Sequence, residues 1–269
     1  MATHGVYEAC KTASDLCPDL IVGHSGFRST LFLRELYPGV PIANYFEYYC
    51  HAHGSDLDFR PESQAQELDY LRSQTRNAMI LLDLVNCQTG YSPTAFQRSL
   101  FPIEFQPKIE VIFDGIETDV FYRREGLPRK VGDRAIPRST RVVTYVSRGF
   151  ESMRGFDVFM KEAKRIYTVY ADVLFVVVGS DQMFYGGDEK RIKHKTFREH
   201  VLAQDHYDLS KFLFTGPVTG PTLVEILSLS DLHIYLTVSF VLSWSLMNAL
   251  ACGCTVLGSD TAAVREMIT

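Results

Sequence analysis

The amino-acid sequence predicts an α/β protein built from two parallel-sheet domains, and three observations carry that expectation. Apolar β-type runs alternate with helical patterns along all 269 residues, as stacked βαβ units require. One polar segment rich in Gly, Pro and Arg, DGIETDVFYRREGLPRKVGDRAIPRS (114–139), interrupts the alternation, which then restarts. The stretch from Leu232 to Ser259 holds no Asp, Glu, Lys or Arg in a chain that is 22% charged.

That stretch is long enough for a membrane helix, which needs about 20 apolar residues. Its punctuation argues otherwise. Serines, threonines, an asparagine and two glycines break it, no basic anchor follows, and β-rich LHIYLT precedes helix-like WSLMNALA and then CTVLG. It reads as a buried strand, a polar loop, a short helix and a second buried strand, because parallel strands covered on both faces are continuously apolar. No transmembrane segment is expected.

In the first half, strands are expected at 19–23, 40–46, 86–92 and 108–113, with helices near 27–36, 64–85 and 93–101 between them. The second half gives strands at 141–148, 171–179, 211–216, 231–236 and 254–258, and helices at 155–170, 191–203, 219–229 and 244–252. A last helix opens at Thr261. Residues 1–122 are assigned to a first domain, 123–140 to a linker and 141–269 to a second domain. The first half offers few strands for a doubly wound domain and Thr269 falls inside a short helix, so both domains are expected to be truncated.

A hydrophobic content of 46% and a net charge of −5 describe a soluble globular chain. No basic excess exists to bind nucleic acid, and no polybasic cluster marks a membrane surface. The N-terminus lacks a signal-peptide pattern. Cys10, Cys17, Cys50, Cys87, Cys252 and Cys254 show no C-x-x-C spacing, as expected of reduced thiols, and the expected location is the cytoplasm. Walker A, G-x-G-x-x-G and G-x-S-x-G motifs do not occur, which argues against ATPase, dehydrogenase and hydrolase readings.

Four strings carry a resemblance: SFVLSWSLMNALACGCTVLGSDTAAVREMI, YVSRGFESMRGFDVF, VIFDGIETDVF and FLFTGPV. In this order they are similar to the motifs of the retaining glycosyltransferases of family four. The resemblance runs over nearly the whole chain. It implies the GT-B fold, two Rossmann-like domains facing across a cleft, with a nucleoside diphosphate sugar as donor substrate and no cofactor. Against the family pattern, the opening strands with their glycine-rich loop and the end of the second domain are missing, so little or no activity is expected of these 269 residues alone.

Transfer from such a donor builds negative charge on the departing diphosphate, which aimed cations and backbone N–H groups stabilise. Arg148 ends the first strand of the second domain and Arg154 precedes a helix, at the carboxyl edge where ligands of such sheets bind. The matching basic pair in the family contacts the diphosphate. Ser243 and Ser245 open the helix 244–252, whose N-terminus favours an anion, and Leu246 belongs to the same donor-binding stretch. The resemblance places Phe240 and Asn248 where the family has two glutamates, one near the donor sugar and one on the ribose. Phe240 cannot hydrogen-bond a sugar, and Asn248 lacks the charge that strengthens a ribose contact.

In the first domain His24 and Glu47 each follow a strand, where related enzymes often carry histidines. Glu47 is ranked first, to orient an acceptor hydroxyl or stabilise oxocarbenium charge, with Tyr45, Phe46, Tyr48 and Tyr49 available to stack on a sugar. Each of these residues alone is equally explained as packing. Asp56-Leu57-Asp58 matches a metal-binding D-x-D but sits in a polar loop. Cys50, His51 and His53 are too close together to close a tetrahedral site without a second cluster. No metal is expected. The charged run 188–195 reads as a solvated loop and helix start.

The expected function is metal-independent, retaining transfer from a nucleoside diphosphate sugar to an acceptor that is a glycan, a lipid or a small molecule. A noncatalytic nucleotide-sugar-binding protein and a nucleotide-sugar epimerase are the rival readings.

Overall fold

Parallel strands separated by helices fill both halves of the chain in the computed structural model, which describes residues 2–27, 29–61 and 65–268. Met1, Arg28, Gln64 and Thr269, each within a segment assigned above, lie outside the described residues. The contacts divide the chain into two units: residues 1–114 with 239–242 and 261–269, and residues 115–238 with 243–260.

The first unit runs α1 (Ala2–Thr12), β1 (Ile21–His24), α2 (Leu33–Leu36), β2 (Ile42–Tyr45), α3 (Glu67–Asn86), β3 (Thr89–Ser92), α4 (Ala95–Ser99) and β4 (Ile109–Val111). Its strands lie in the order β1-β2-β3-β4, all parallel. Ile21, Ile42, Phe46, Leu84, Phe101 and Ile109 form the core, whereas Val22 on the opposite side of β1 is 59% exposed, the alternation a strand imposes. Helix α3 starts at a capping box in which Gln66 and Asp69 satisfy each other's backbone N–H groups.

Two departures from the sequence reading occur here. Helix α1 was not anticipated; Val6 and Cys10, four residues apart on one helix face, pack against the core. The helix expected at 27–36 is confined to α2, preceded by a 3₁₀ turn at Ser25–Phe27. The hydroxyl of Ser25 bonds Asp83 at 3.0 Å and that of Thr30 bonds Asn44 at 2.8 Å, so these side chains hold the segment in turns rather than in a helix.

The second unit holds a short antiparallel pair, β5 (Lys130–Val131) and β6 (Arg134–Ala135), then β7 (Arg141–Gly149), α5 (Phe156–Val169), β8 (Val173–Ser180), α6 (Phe197–Gln204), β9 (Phe212–Gly216), α7 (Gly220–Ser228), β10 (Leu232–Tyr235), α8 (Trp244–Ala251) and β11 (Val256–Gly258). The last helix, α9 (Ala262–Arg265), counts with the first unit. Where the sequence reading placed a linker at 123–140, the pair β5-β6 lies, and Val131 and Ile136 are buried with Val142, Leu174, Val176 and Ile226. Apolar side chains spaced through a Gly- and Pro-rich segment fasten it to the second unit.

The charge-free stretch resolves into β10, a loop, α8 and β11, as read from its punctuation. Among the described residues no helix is long and apolar enough to cross a membrane. Phe156, Phe159, Met160 and Ala163 form one buried stripe of α5, at the spacing of a helix that covers a sheet. The parallel sheet has the order β11-β10-β7-β8-β9. The chain moves outward from β7 through β8 to β9, then returns to lay β10 on the other side of β7. The carboxyl ends of β7 and β10 therefore form the switch point at which such sheets bind ligands.

Candidate functional site

In the second unit, the switch point is built by close backbone approach. Gly155 has φ +68°, and a Cβ there would stand 2.6 Å from Leu236, so a glycine at this turn lets the loop after β7 meet the loop after β10. Val238 N–H donates to Met153 O at 3.0 Å, and an Arg154 guanidinium nitrogen lies 3.5 Å from Thr237 Oγ1. The buried phenol of Tyr235 lies beside Thr237 and Ser243. Arg154 and the start of α8 thus lie around Tyr235 and Thr237, two residues the sequence reading did not select.

Ser243 is the N-cap of α8 and accepts the N–H of Ser245 at 3.3 Å, while the two hydroxyls lie 2.9 Å apart. Both serines stand at the positive end of the helix dipole. Arg148 is exposed and Arg154 half-buried. Their guanidinium carbons lie 4.1 Å from the Phe184 ring centroid and 5.5 Å from that of Tyr185. Among the described residues neither arginine lies within salt-bridge distance of a carboxylate, although the charge of Arg154 acts on the buried Glu151 carboxyl.

Asn248 is half-buried on α8, and its side-chain amide has no partner among the described residues. Leu246 has its side chain fully buried and donates its N–H to Ser243 O at 3.0 Å. Its role is to seat α8 on the core. Phe240 falls in the first unit, with its ring 4.6 Å from that of Tyr48. The neighbouring Leu242 N–H reaches Gln97 Oε1 at 3.3 Å.

In the first unit, His24 and Glu47 come together at the carboxyl edge of the sheet, with Nε2 and Oε2 3.6 Å apart. His24 is held from two sides: its N–H donates to Ser29 Oγ at 3.1 Å, and its Nδ1 accepts from Gly26 N–H at 3.0 Å. The neutral ring consequently carries its proton on Nε2, toward Glu47. Glu47 is fixed through its carbonyl, which accepts from the buried Gln97 side chain at 2.7 Å. Gly90 allows the preceding Phe46 into the core, since a Cβ on Gly90 would stand 2.3 Å from that ring.

Tyr45 donates its hydroxyl to Asp114 at 2.9 Å, and its ring lies 4.9 Å from His24 and 5.2 Å from Tyr91. Burial pushes the Glu47 carboxyl up, helped by the charge of Asp114. Burial also pushes the His24 imidazole down, against Asp114 and its backbone hydrogen bond. The arrangement offers an acid/base pair beside two tyrosine rings and a second carboxylate. Asp114 was not selected from the sequence, although its place just after β4 put it at the same sheet edge.

Asp56 accepts from Tyr48 Oη at 3.0 Å, and Asp58 from Gly54 and Ser55 N–H at 2.8 and 2.9 Å, so both serve loop structure. His51 contacts Leu100 O at 2.7 Å and Cys50 N–H donates to Asn77. Among the described residues no group of three His, Cys, Asp or Glu side chains is placed to hold a metal ion. The run 188–195 is only partly solvated, because Asp188 is buried against Ser152.

Residues 1–121 match the family model described as Glycosyl transferase family 4 group, and residues 140–269 match that described as Glycosyl transferases group 1. Sucrose-phosphate synthase from Thermosynechococcus elongatus superposes with a TM-score of 0.76 at 15% identity, over 100% of this chain and 62% of that one. HepE from Anabaena, in complex with UDP and glucose, gives 0.69 at 14% identity, over 98% of this chain and 65% of that one. The catalytic domain of starch synthase IV from Arabidopsis thaliana, bound to ADP and acarbose, gives 0.64 at 14% identity, over 100% and 61%. The chain therefore spans less than two thirds of the length of these structures, and the likeness establishes the GT-B fold. No curated protein matches the chain by sequence.

Proposed function

We propose, for a chain that belongs to the two-part family of group 1 glycosyl transferases, that it transfers a sugar from a nucleoside diphosphate sugar to an acceptor with retention of configuration. The observation that carries this reading is the pair Arg148 and Arg154, without salt-bridge partners among the described residues, at the switch point that also holds the N-terminus of α8. Two guanidinium groups and a helix N-terminus suit a diphosphate, and they supply the counter-charge that a divalent cation gives elsewhere. The transfer is accordingly read as metal-independent. UDP in the HepE complex and ADP in the starch synthase complex support a nucleotide as ligand.

The acceptor side is assigned to the first unit, where Glu47 and His24 supply acid/base groups and Tyr45 and Tyr91 supply rings for a sugar. Glycan, lipid and small-molecule acceptors all suit that set. The six unpaired cysteines support a reducing compartment, the cytoplasm.

The test is to incubate the protein with UDP-, ADP- and GDP-sugars and candidate acceptors in EDTA, following products by proton NMR. Release of nucleoside diphosphate with a retained anomeric configuration supports the reading. An inverted product, or an isomerised nucleotide sugar formed without acceptor, contradicts it. Binding and turnover are read separately, because Phe240 and Asn248 favour a second reading, a nucleotide-sugar-binding protein that does not catalyse. For that reading Asn248→Glu restores transfer; if the wild type turns over and Asn248→Glu adds nothing, it falls.

A further inference from the structure

The His24 ring is held by one short turn, and a buried carboxyl group on α3 ties that turn to the interior of the first unit. Each residue of the 3₁₀ turn Ser25–Phe27 has its own partner. Ser25, 2% exposed, donates its hydroxyl to Asp83 Oδ2 at 3.0 Å. Gly26 donates its N–H to His24 Nδ1 at 3.0 Å, and the Phe27 ring centroid lies 4.4 Å from that of His24.

Asp83 is fully buried, and its second oxygen lies 3.5 Å from the hydroxyl of buried Thr30, which donates to Asn44 at 2.8 Å. Between these two anchored residues, Ser29 accepts the His24 N–H at 3.1 Å. The strand end meets this turn closely: a Cβ on Gly23 would stand 2.2 Å from Thr30 Cγ2 and 2.7 Å from Ser29 Oγ, so a glycine before His24 is what admits them. Hydrogen bonds of this kind, removed from water, hold their members in one arrangement, and losing one buried partner frees the rest.

The arrangement has a chemical consequence. Which nitrogen of a neutral imidazole carries the proton is set by the bond that the other nitrogen makes. Only while the turn stays in place does the Gly26 N–H occupy Nδ1.

We propose that Asp83 is a positioning residue for His24: through the Ser25 hydroxyl it fixes the turn that brings Gly26 N–H onto Nδ1, and so keeps the imidazole proton on Nε2, the nitrogen nearest Glu47. Its meaning for transfer rests on the acid/base reading of His24 and Glu47 given above.

Nitrogen NMR of the imidazole-labelled 269-residue chain tests this above pH 6.5, where burial keeps the ring neutral. The His24 signals are identified by their loss in His24→Gln. The wild type shows a protonated Nε2 and an unprotonated Nδ1. In Asp83→Ala and Ser25→Ala the two shifts move toward each other as both tautomers become populated, and Asp83→Asn, which keeps an acceptor for Ser25, retains the wild-type pattern. Ser25→Ala removes only a hydroxyl and keeps the test open if Asp83→Ala does not fold. Leu84→Ala empties a fully buried core position next to Asp83 on α3, and it lowers the melting temperature without moving either shift. If the two alanine variants at the turn keep the wild-type shifts, or if Leu84→Ala moves them equally, the positioning role is refuted. The readout needs neither donor nor acceptor, so a failure of the acid/base reading, seen as full transfer by His24→Gln and Glu47→Gln, is distinct from a failure of this one.

Discussion

His24 Nε2 stands 3.6 Å from Glu47 Oε2, too far for a hydrogen bond and close enough for an ion pair. The pair is positioned but not locked together. The Gln97 side chain holds Glu47 through its carbonyl, and Gly26 and Ser29 hold His24, so that His24 Nε2 and the Glu47 carboxyl take no part in those bonds.

Glu47→Gln is expected to lower transfer about 10²- to 10³-fold, as when an aimed electrostatic group is lost, with donor affinity unchanged. The carboxyl is raised by burial first and by Asp114 second. A raised acid contributes its stability at low pH and loses it as pH rises through the folded value. At pH 7 the variant should therefore melt no lower than the wild type. Single-turnover kinetics with a calorimetric scan separates the two effects; a lower melting temperature together with full activity would sink the assignment.

His233 on β10 is fully buried, with Nδ1 2.9 Å from Thr144 Oγ1 and Nε2 without a partner among the described residues. Burial pushes its imidazole down to about 4 from 6.5. A lowered histidine contributes stability that is complete above 6.5 and is lost as pH falls through the folded value. The second unit should lose on the order of 3 kcal/mol between those limits. His233→Leu should flatten the dependence, because Thr144 keeps Ser230 at 2.8 Å. Thermal melts from pH 7 to 4 decide it, and parallel curves for the two proteins would count against the prediction.

Glu266 accepts the N–H groups of Ala95 and Phe96 at 2.7 and 2.8 Å, closing the start of α4. Glu266→Ala leaves both donors to water and removes a charge from a helix N-terminus, at about 1 kcal/mol. Glu266→Gln should recover part of this. Urea unfolding of the three proteins measures it, and equal midpoints would show that the exposed contact contributes nothing.

Much of the fold was legible because it rests on periodicity. The charge-free run resolved into strand, loop, helix and strand, since buried parallel strands and a covered helix leave no room for charge. Less visible were features that depend on distant partners. Tyr45 and Asp114 are 69 residues apart, and neither local pattern names the other. Asp188 sits in a run of charges that looks solvated, and only Ser152, 36 residues earlier, explains its burial. Val131 and Ile136 make β5-β6 part of a core although their neighbours read as linker. The positions of Arg148, Arg154, Ser243 and Ser245 at strand and helix ends were legible from local pattern. The burial of Leu246 was not legible, because a helix start does not reveal which of its side chains faces inward.

The central claim is that Arg148, Arg154 and the start of α8 hold a nucleoside diphosphate without a metal. Its most direct measurement is the affinity of the protein for UDP and ADP in EDTA and in Mn²⁺, for the wild type, Arg148→Met and Arg154→Met. Equal affinity in both buffers is expected, with a loss of roughly 10- to 100-fold for each arginine variant, the value of a hydrogen bond to a charged group. Binding that appears only with Mn²⁺, or that ignores both substitutions, would contradict it.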